Sequence, residues 1–448
     1  TGSAAAVNPE FKRNLWLEFS LHRLVAAPVV IALVLLLVAA VSKDNPLRNM
    51  AQVSGGGFVL AVLFWGAHLA GGSVSTEVSE RTWDTQRMSA IGPWTMTWGK
   101  LLGAPAFAWY MGLMLLPVFV VCGQVNPGLP ALRLALLLVA AAVLLHAVAL
   151  NFSIYAARKQ LRYRGASALI FVWLLSLVLA PAVRLGDHIG AQMHWWGAAF
   201  DAVNFALAST GAFAAWAVLG AYRSMCTALE IRTRPWTLPA FILFSAIWIS
   251  GLLQGDEPGL FHGPFGVLLC AVAISGAFSY ALLLAEPGGA SAWQQLRMRL
   301  RARNPRQALE AAPVWLVAIA TGLLLGIIAT FASAGDPATS SILPLAAMLF
   351  VVRDAAIFQF FALARQPRRA EATALFYLVV LYGLLPGLLT AVQAQWLAQW
   401  VLPRLFSHSD EAMMVMLVQA GIAIAVAWQR WKTVHAPDTE QAVLLSRP

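Results

Sequence analysis

Glu77, Glu80 and Asp84 stand at helical spacings around Arg81 and Arg87, inside a polar segment, EVSERTWDTQRMSAIGPWTMTWGK, that runs from residue 77 to residue 100. Charges in this pattern predict an amphipathic helix around 77–93, too charged to enter hydrocarbon, with Thr82 within it and Trp83 and Met88 as apolar anchors. Gly92-Pro93 then breaks the helix and starts a second one that leads to Gly99-Lys100. The chemistry open to such a segment is docking: charges orient it at a rim and the anchors fill pockets. A helix of this kind could equally rest on lipid headgroups.

Catalytic chemistry has little to work with, and no catalytic residue is expected. The chain holds no His-Glu-x-x-His and no Gly-x-Ser-x-Gly. Gly92 and Gly99-Lys100 are too far apart for a phosphate-binding loop, and Leu101 stands where such a loop needs Ser or Thr for magnesium. Hydrolysis of ATP by this chain is therefore not expected. Cys122, Cys226 and Cys270 are scattered and no His cluster has ligand spacing, so neither a disulfide framework nor a metal site is indicated.

The elements that must position the polar segment follow from composition. A chain of 448 residues that is 60% hydrophobic and 11% charged, with mean hydropathy +0.72, is not an ordinary soluble domain. A bilayer requires about 20 apolar residues per helical span, and about twelve such runs occur. They fall at 24–41, 53–70, 101–122, 134–155, 168–183, 203–222, 236–253, 265–284, 314–332, 342–363, 372–392 and 413–428. Runs this long predict helices rather than the shorter alternating strands of a barrel. The expected fold is thus an all-α polytopic membrane protein. The first run is long, lacks a small-residue cleavage site and has a charged lead-in, so it reads as a span rather than a signal peptide. With both termini cytoplasmic, about 24 of the 30 Lys and Arg fall on one side of the membrane. Five (Lys43, Arg48, Arg133, Arg184, Arg404) fall on the other and Arg353 lies inside a span. That bias explains the net charge of +10 through topology and anionic headgroups, with no nucleic-acid partner expected.

The spans repeat. Leu17-Glu18-Phe19-Ser20-Leu21-His22-Arg23 precedes the first run and Leu229-Glu230-Ile231-Arg232-Thr233-Arg234 precedes the seventh. YAARKQLRYRGASALIF (155–171) matches ALARQPRRAEATALF (362–376), and each leads to a run with a proline near its outer end, Pro181 and Pro386. Two parallel six-span halves are expected, 1–222 and 223–448.

Glu80-Arg81, Thr82, Asp84, Arg87, Pro93-Trp94 and Gly99-Lys100 together resemble the coupling-helix region of type 2 ABC-transporter permeases. The family's run is an acidic-basic pair, Gly-Thr-x-Asp, a Leu-rich turn, a Pro-Leu-Ser-Pro-Trp-like turn and Gly-Lys. This chain has Arg81 in place of the glycine and Ala90 in place of the first proline. The resemblance implies that the segment sits in a cleft of a separate ATPase subunit, which binds ATP and magnesium. It also implies a bacterial inner-membrane exporter, in which a fused pair of six-span halves serves a pair of ATPase subunits, with room for accessory subunits. A largely apolar interior would suit a hydrophobic or amphipathic substrate.

The corresponding link of the second half, 286–312, carries Arg297, Arg299, Arg301, Arg303 and Arg306. It reads as a modified coupling contact or as a headgroup-binding helix. Within the spans, His146 and Arg353 occupy matching places in the repeat, with Asn151, Asp354 and Gln359 nearby. These polar groups either line a central path or satisfy one another, Arg353 with Asp354 and His146 with a carbonyl. The outer links 187–200 and 390–410 carry Trp195, Trp196, Trp396 and Trp400, suited to headgroup depth; the resemblance adds an exit gate built from short outer helices. Two other classes remain open: a polytopic enzyme acting on lipids, and an ion-coupled secondary transporter with Asp354 as its central carboxylate.

Overall fold

The computed structural model describes residues 8–89, 91–125, 128–158, 191–254, 261, 263–286, 290–332, 344–363, 370–394, 397 and 410–434. They are helical apart from turns and one short hairpin, and ten helices are long and apolar enough to cross a bilayer. An eleventh apolar helix, Thr237–Leu253, is shorter. The expected run at 168–183 lies outside the described residues, so eleven of the twelve runs coincide with described helices. The chain divides into two compact units, one made of residues 1–194 and 198–233, the other of 195–197 and 234–448.

The first unit opens with α1 (Pro9–Glu18), whose start is set by Asn8: its side-chain oxygen accepts from the backbone N–H groups of Glu10 and Phe11, and Pro9 occupies the first helical position. α2 (Leu21–Val41) is apolar all round and largely uncovered by protein, with Leu33, Leu36 and Leu37 more than half exposed. A helix of that kind is stable only against lipid. α3 (Pro46–Ser79) is a single helix of 34 residues. At about 1.5 Å per residue it outruns a 30 Å hydrocarbon core by about 20 Å, which carries its polar end, with Glu77, clear of the membrane. α4 (Trp83–Arg87), α5 (Pro93–Gly103), α6 (Ala106–Gly123), α7 (Ala131–Arg158) and α8 (Ala202–Ala228) follow. Phe58, Val62 and Ala70 of α3 pack with Leu115 of α6 and with Ala142 and Leu145 of α7. Small residues on these faces let the backbones approach, which is how helices associate where lipid removes the hydrophobic drive.

Two glycines one turn apart hold α1 against α5. A Cβ on Gly99 would lie 2.5 Å from the Glu10 Cβ, and one on Gly103 would lie 2.9 Å from the Asn14 Cβ. The close approach lets Asn14 Nδ2 donate to the Gly99 carbonyl at 3.2 Å and Asn8 Nδ2 to the Thr95 carbonyl at 2.7 Å.

Before α8 the chain forms a hairpin, β1 (Gln192–Trp195) and β2 (Ala198–Asp201). Its turn residues Trp196 and Gly197 have φ of 53° and 73°, the two positive angles of a tight two-residue hairpin turn. The described part of this outer link is therefore a hairpin, not the short helix implied by the family resemblance. The remainder of that link, together with Trp396 and Trp400, lies outside the described residues.

The second unit contains α9 (Thr237–Leu253), α10 (Gly263–Ala285), α11 (Ala290–Arg301), α12 (Pro305–Ala311), α13 (Val314–Ala332), α14 (Pro344–Ala362) and α16 (Asp410–Val434). Between the last two, α15 comprises Ala370–Val379, a π-helical stretch Val380–Leu384, and Leu385–Ala391. Its core gathers Ile242, Ala246, Cys270, Ile319, Met348 and Phe358. Within this unit Trp195 Nε1 donates to the Trp248 carbonyl at 3.1 Å and the Trp196 N–H to the Gly251 carbonyl at 3.1 Å. Gly251 has no room for a side chain, since a Cβ would lie 2.4 Å from Trp195 Nε1.

Gly99→Val is expected to push α1 off α5 and to destabilise the first unit by about 1–3 kcal/mol, the usual cost of overpacking. Thermal unfolding in detergent, with limited proteolysis at residues 8–20, checks this; unchanged melting would show that α1 does not depend on the close approach.

Candidate docking segment and buried charge clusters

The polar segment folds as the end of α3, a tight turn, the five-residue α4, a second turn and α5. It is not one continuous amphipathic helix. α3 stops in a Schellman turn: the Thr82 N–H donates to the Glu77 carbonyl at 2.9 Å, the Arg81 N–H to the Val78 carbonyl at 3.2 Å, and Arg81 has φ of 61°. Arg81 takes the left-handed conformation that glycine adopts without penalty, so the turn is made at a cost in local strain. The same turn recurs with Glu230 after α8 and with Arg303 after α11, at φ of 60° and 53°.

Side chains divide sharply across this segment. Glu80, Arg81, Thr82, Asp84, Arg87 and Met88 face outward, with Met88 82% exposed. Glu77, Trp83, Gln86 and Lys100 face inward. Trp83 packs with Met96, Leu150 and Ile154 in the unit's own core, so the apolar anchors this surface presents are Met88 and the half-exposed Trp94. Arg87 pairs with Asp84 at 3.7 Å and with Glu230 at 2.5 Å, which ties the outer face to the end of α8. Pro93 opens α5 at its first helical position.

Beneath lies a closed ionic cluster. The Lys100 ammonium is 1% exposed and donates to Glu10 Oε1 at 3.0 Å and to Glu77 Oε2. Glu77 Oε1 also accepts from Arg13 Nη2 and, at 2.7 Å, from Gln86 Nε2, while the Trp83 ring lies 5.7 Å from the ammonium. Two carboxylates meet two cations, so the group is neutral, and α1, α3, α4 and α5 each contribute to it. A buried ammonium persists only when its donors are satisfied in this manner.

The polar residues within spans are held by protein partners. His146, fully buried, donates from Nε2 to the Val62 carbonyl at 2.8 Å. Its ring sits edge-on to Trp109 and over Gly66, where a Cβ would lie 2.6 Å from Nε2. Asn151 donates to the Ala147 and Ala217 carbonyls at 3.0 and 3.3 Å and accepts from Ser224 Oγ at 2.7 Å. In the second unit Arg353 Nε donates to Asp354 Oδ1 at 3.1 Å, Nη1 to Gln419 Oε1 at 2.6 Å, and Nη2 to the Tyr382 hydroxyl. Asp354 Oδ2 accepts from Tyr280 at 2.6 Å and from Tyr382, and the Phe350 ring stacks 4.2 Å below the guanidinium. Four helices, α10, α14, α15 and α16, meet there. His146 and Arg353 each face a π-helical stretch, Val59–Gly66 for the first and Val380–Leu384 for the second. Gln359 accepts from Trp293 Nε1 at 3.0 Å.

Glu10, Tyr280, Tyr382 and Gln419 were not singled out by the sequence pattern. The last three are neutral polar groups inside apolar runs, less costly in lipid than a charge but still in need of a partner there, and usable as a signal for that reason. On the second link, Arg299 reaches Gln307 at 3.1 Å, Arg297 lies over the Trp431 ring at 5.2 Å, and Arg303 closes the turn after α11.

No protein-family model, no curated protein and no solved structure matches the chain. The fold by itself defines an all-α, multi-pass membrane protein.

Lys100→Met is expected to cost about 3–5 kcal/mol, because Glu10 and Glu77 are left buried without their shared cation. Adding Glu10→Gln and Glu77→Gln should recover most of that loss, as read by detergent melting curves; no recovery in the triple variant would show that the cluster is not the cause. Arg81→Gly should raise stability by about 1 kcal/mol through relief of the left-handed backbone. A lower melting temperature in that variant would mean that the Arg81 side chain contributes more than its backbone costs.

Proposed function

We propose that this chain is the membrane-spanning permease of a type 2 ABC exporter, driven by a separate ATPase that docks on the segment from Glu77 to Lys100. The observation that carries this reading is the division of that segment into an outward set, Glu80, Asp84, Arg87 and Met88, and an inward set that anchors it to α3 and α5. A surface exposing charges of both signs beside a methionine suits a protein cleft, where charges orient and the apolar side chain fills a pocket. ATP and magnesium would be bound by the partner, and a pair of ATPase subunits would serve the two halves. Both termini are then cytoplasmic and the membrane is the bacterial inner membrane. The arginines of α11 and α12 cannot make an electrostatically equivalent second contact, so the two contacts differ in strength. The substrate expected is hydrophobic or amphipathic.

Asp354 gives ion-coupled transport its one specific observation, a carboxylate buried within a span. Arg353 and two tyrosine hydroxyls already occupy it, which favours a structural ion pair.

The test is co-purification in mild detergent of the wild type beside Glu80→Lys/Asp84→Lys, with ATPase activity measured on whatever associates. Recovery of an ATP-hydrolysing subunit with the wild type, reduced at least about tenfold in the variant, is the expected result. Both substitutions lie on the exposed face, so folding should survive. Absence of any ATPase from both preparations would sink the exporter reading.

A further inference from the structure

The second unit contains a cavity of about 690 Å³ among α11, α13, α14 and α16. Its walls are apolar, formed by Trp293, Leu296, Trp315, Ile319, Ala356 and Trp428, and the Gln359 oxygen on its wall is already taken by the Trp293 indole. The size lies within the range of small-molecule sites.

Two cations lie on its margin. Arg297 and Arg301 are spaced i, i+4, so they share one face of α11 with Trp293, Leu296 and Leu300, and all five line the cavity. Arg299, two residues from each, turns away to Gln307. Both lining arginines are exposed, and among the described residues neither has a carboxylate partner. Arg297 also lies over the Trp431 ring, which leaves its N–H donors open. An apolar cavity edged by two guanidiniums with no carboxylate partner among the described residues matches a molecule with a hydrocarbon body and an anionic head, since guanidiniums bind phosphate oxygens as paired donors.

We propose that this cavity is a binding site for an anionic phospholipid, with an acyl chain among the tryptophans and the phosphate on Arg297 and Arg301. Charge complementarity selects this occupant over a neutral lipid, and the depth of apolar wall selects it over a free phosphate. The inference does not depend on the transport reading.

The full chain, purified in mild detergent, is incubated with phosphatidylglycerol or with phosphatidylcholine of identical chains, and bound lipid is counted by native mass spectrometry. Phosphatidylglycerol should be retained roughly tenfold better, given the attraction of two basic residues. Arg297→Gln/Arg301→Gln should reduce its retention to the phosphatidylcholine level. Arg303→Gln/Arg306→Gln removes the same charge from residues outside the cavity and should leave the preference intact. Ala356→Phe, which narrows the cavity, should lower retention of both lipids, with the smaller Ala356→Leu read beside it and size-exclusion profiles reporting the fold. Millimolar inorganic phosphate should not displace the lipid. Equal retention of the two lipids, equal loss in both arginine pairs, displacement by phosphate, or full retention in both narrowed variants would each overturn the proposal.

Discussion

Lys100 is the constraint around which the first unit is organised. An ammonium with 1% exposure is tolerable only if carboxylates come to it, and Glu10 and Glu77 arrive from helices 90 and 23 residues away in sequence. Bringing Glu10 within reach requires α1 to lie on α5, which in turn requires Gly99 and Gly103 at the crossing. Bringing Glu77 within reach requires α3 to run past the membrane and then stop, which the turn at Arg81 accomplishes. Arg13 and Gln86 complete the donors on Glu77, and the cluster closes as a neutral group. Each piece is costly alone: a buried ion, a left-handed arginine, two backbones in contact. Together they position a surface segment that has almost no helix of its own.

The second unit meets the same demand inside a span. Arg353 and Asp354 are adjacent in sequence, so the pair is covalently guaranteed, yet a neutral pair in hydrocarbon still has donors and lone pairs to satisfy. Tyr280, Tyr382 and Gln419 come from three further helices to do so. The π-helical stretch at Val380–Leu384 carries Tyr382 and shifts its register relative to a regular helix. Such a node favours one arrangement of four helices over the many that apolar packing alone would allow, because any slip strands a buried polar group.

Helices, and the membrane they imply, were legible in the sequence because span length and composition are set by the bilayer rather than by tertiary detail. Run ends at 253, 284 and 332 agree with described helices to within a residue. What was not legible is which charges turn inward. Glu77 and Glu80 are three residues apart with identical chemistry, and only the helix end between them separates a buried carboxylate from an exposed one. That end carries no glycine to announce it, so a continuous amphipathic helix was the natural expectation. Trp83 read as an outward anchor for the same reason. The α11 arginines illustrate the converse: a run at every second residue looks like one basic surface, whereas helical geometry sends Arg297 and Arg301 to a cavity and Arg299 elsewhere.

The short α4 bears on how force could pass through this segment in the exporter reading. Five residues cannot sustain a helix unaided, since nucleation consumes most of the gain. Its position is set from behind, by Trp83 in the core and by Gln86 on Glu77. A partner pressing on Asp84, Arg87 or Met88 would therefore act on Glu77 and Lys100 more than on α4 itself. Those two residues lie on α3 and α5, the first a span and the second the lead into the span α6, so displacement at the surface becomes displacement of membrane helices. A flexible loop bearing the same exposed charges could bind equally well but would absorb the motion. In the exporter reading, the buried ion cluster would make the difference between attachment and transmission.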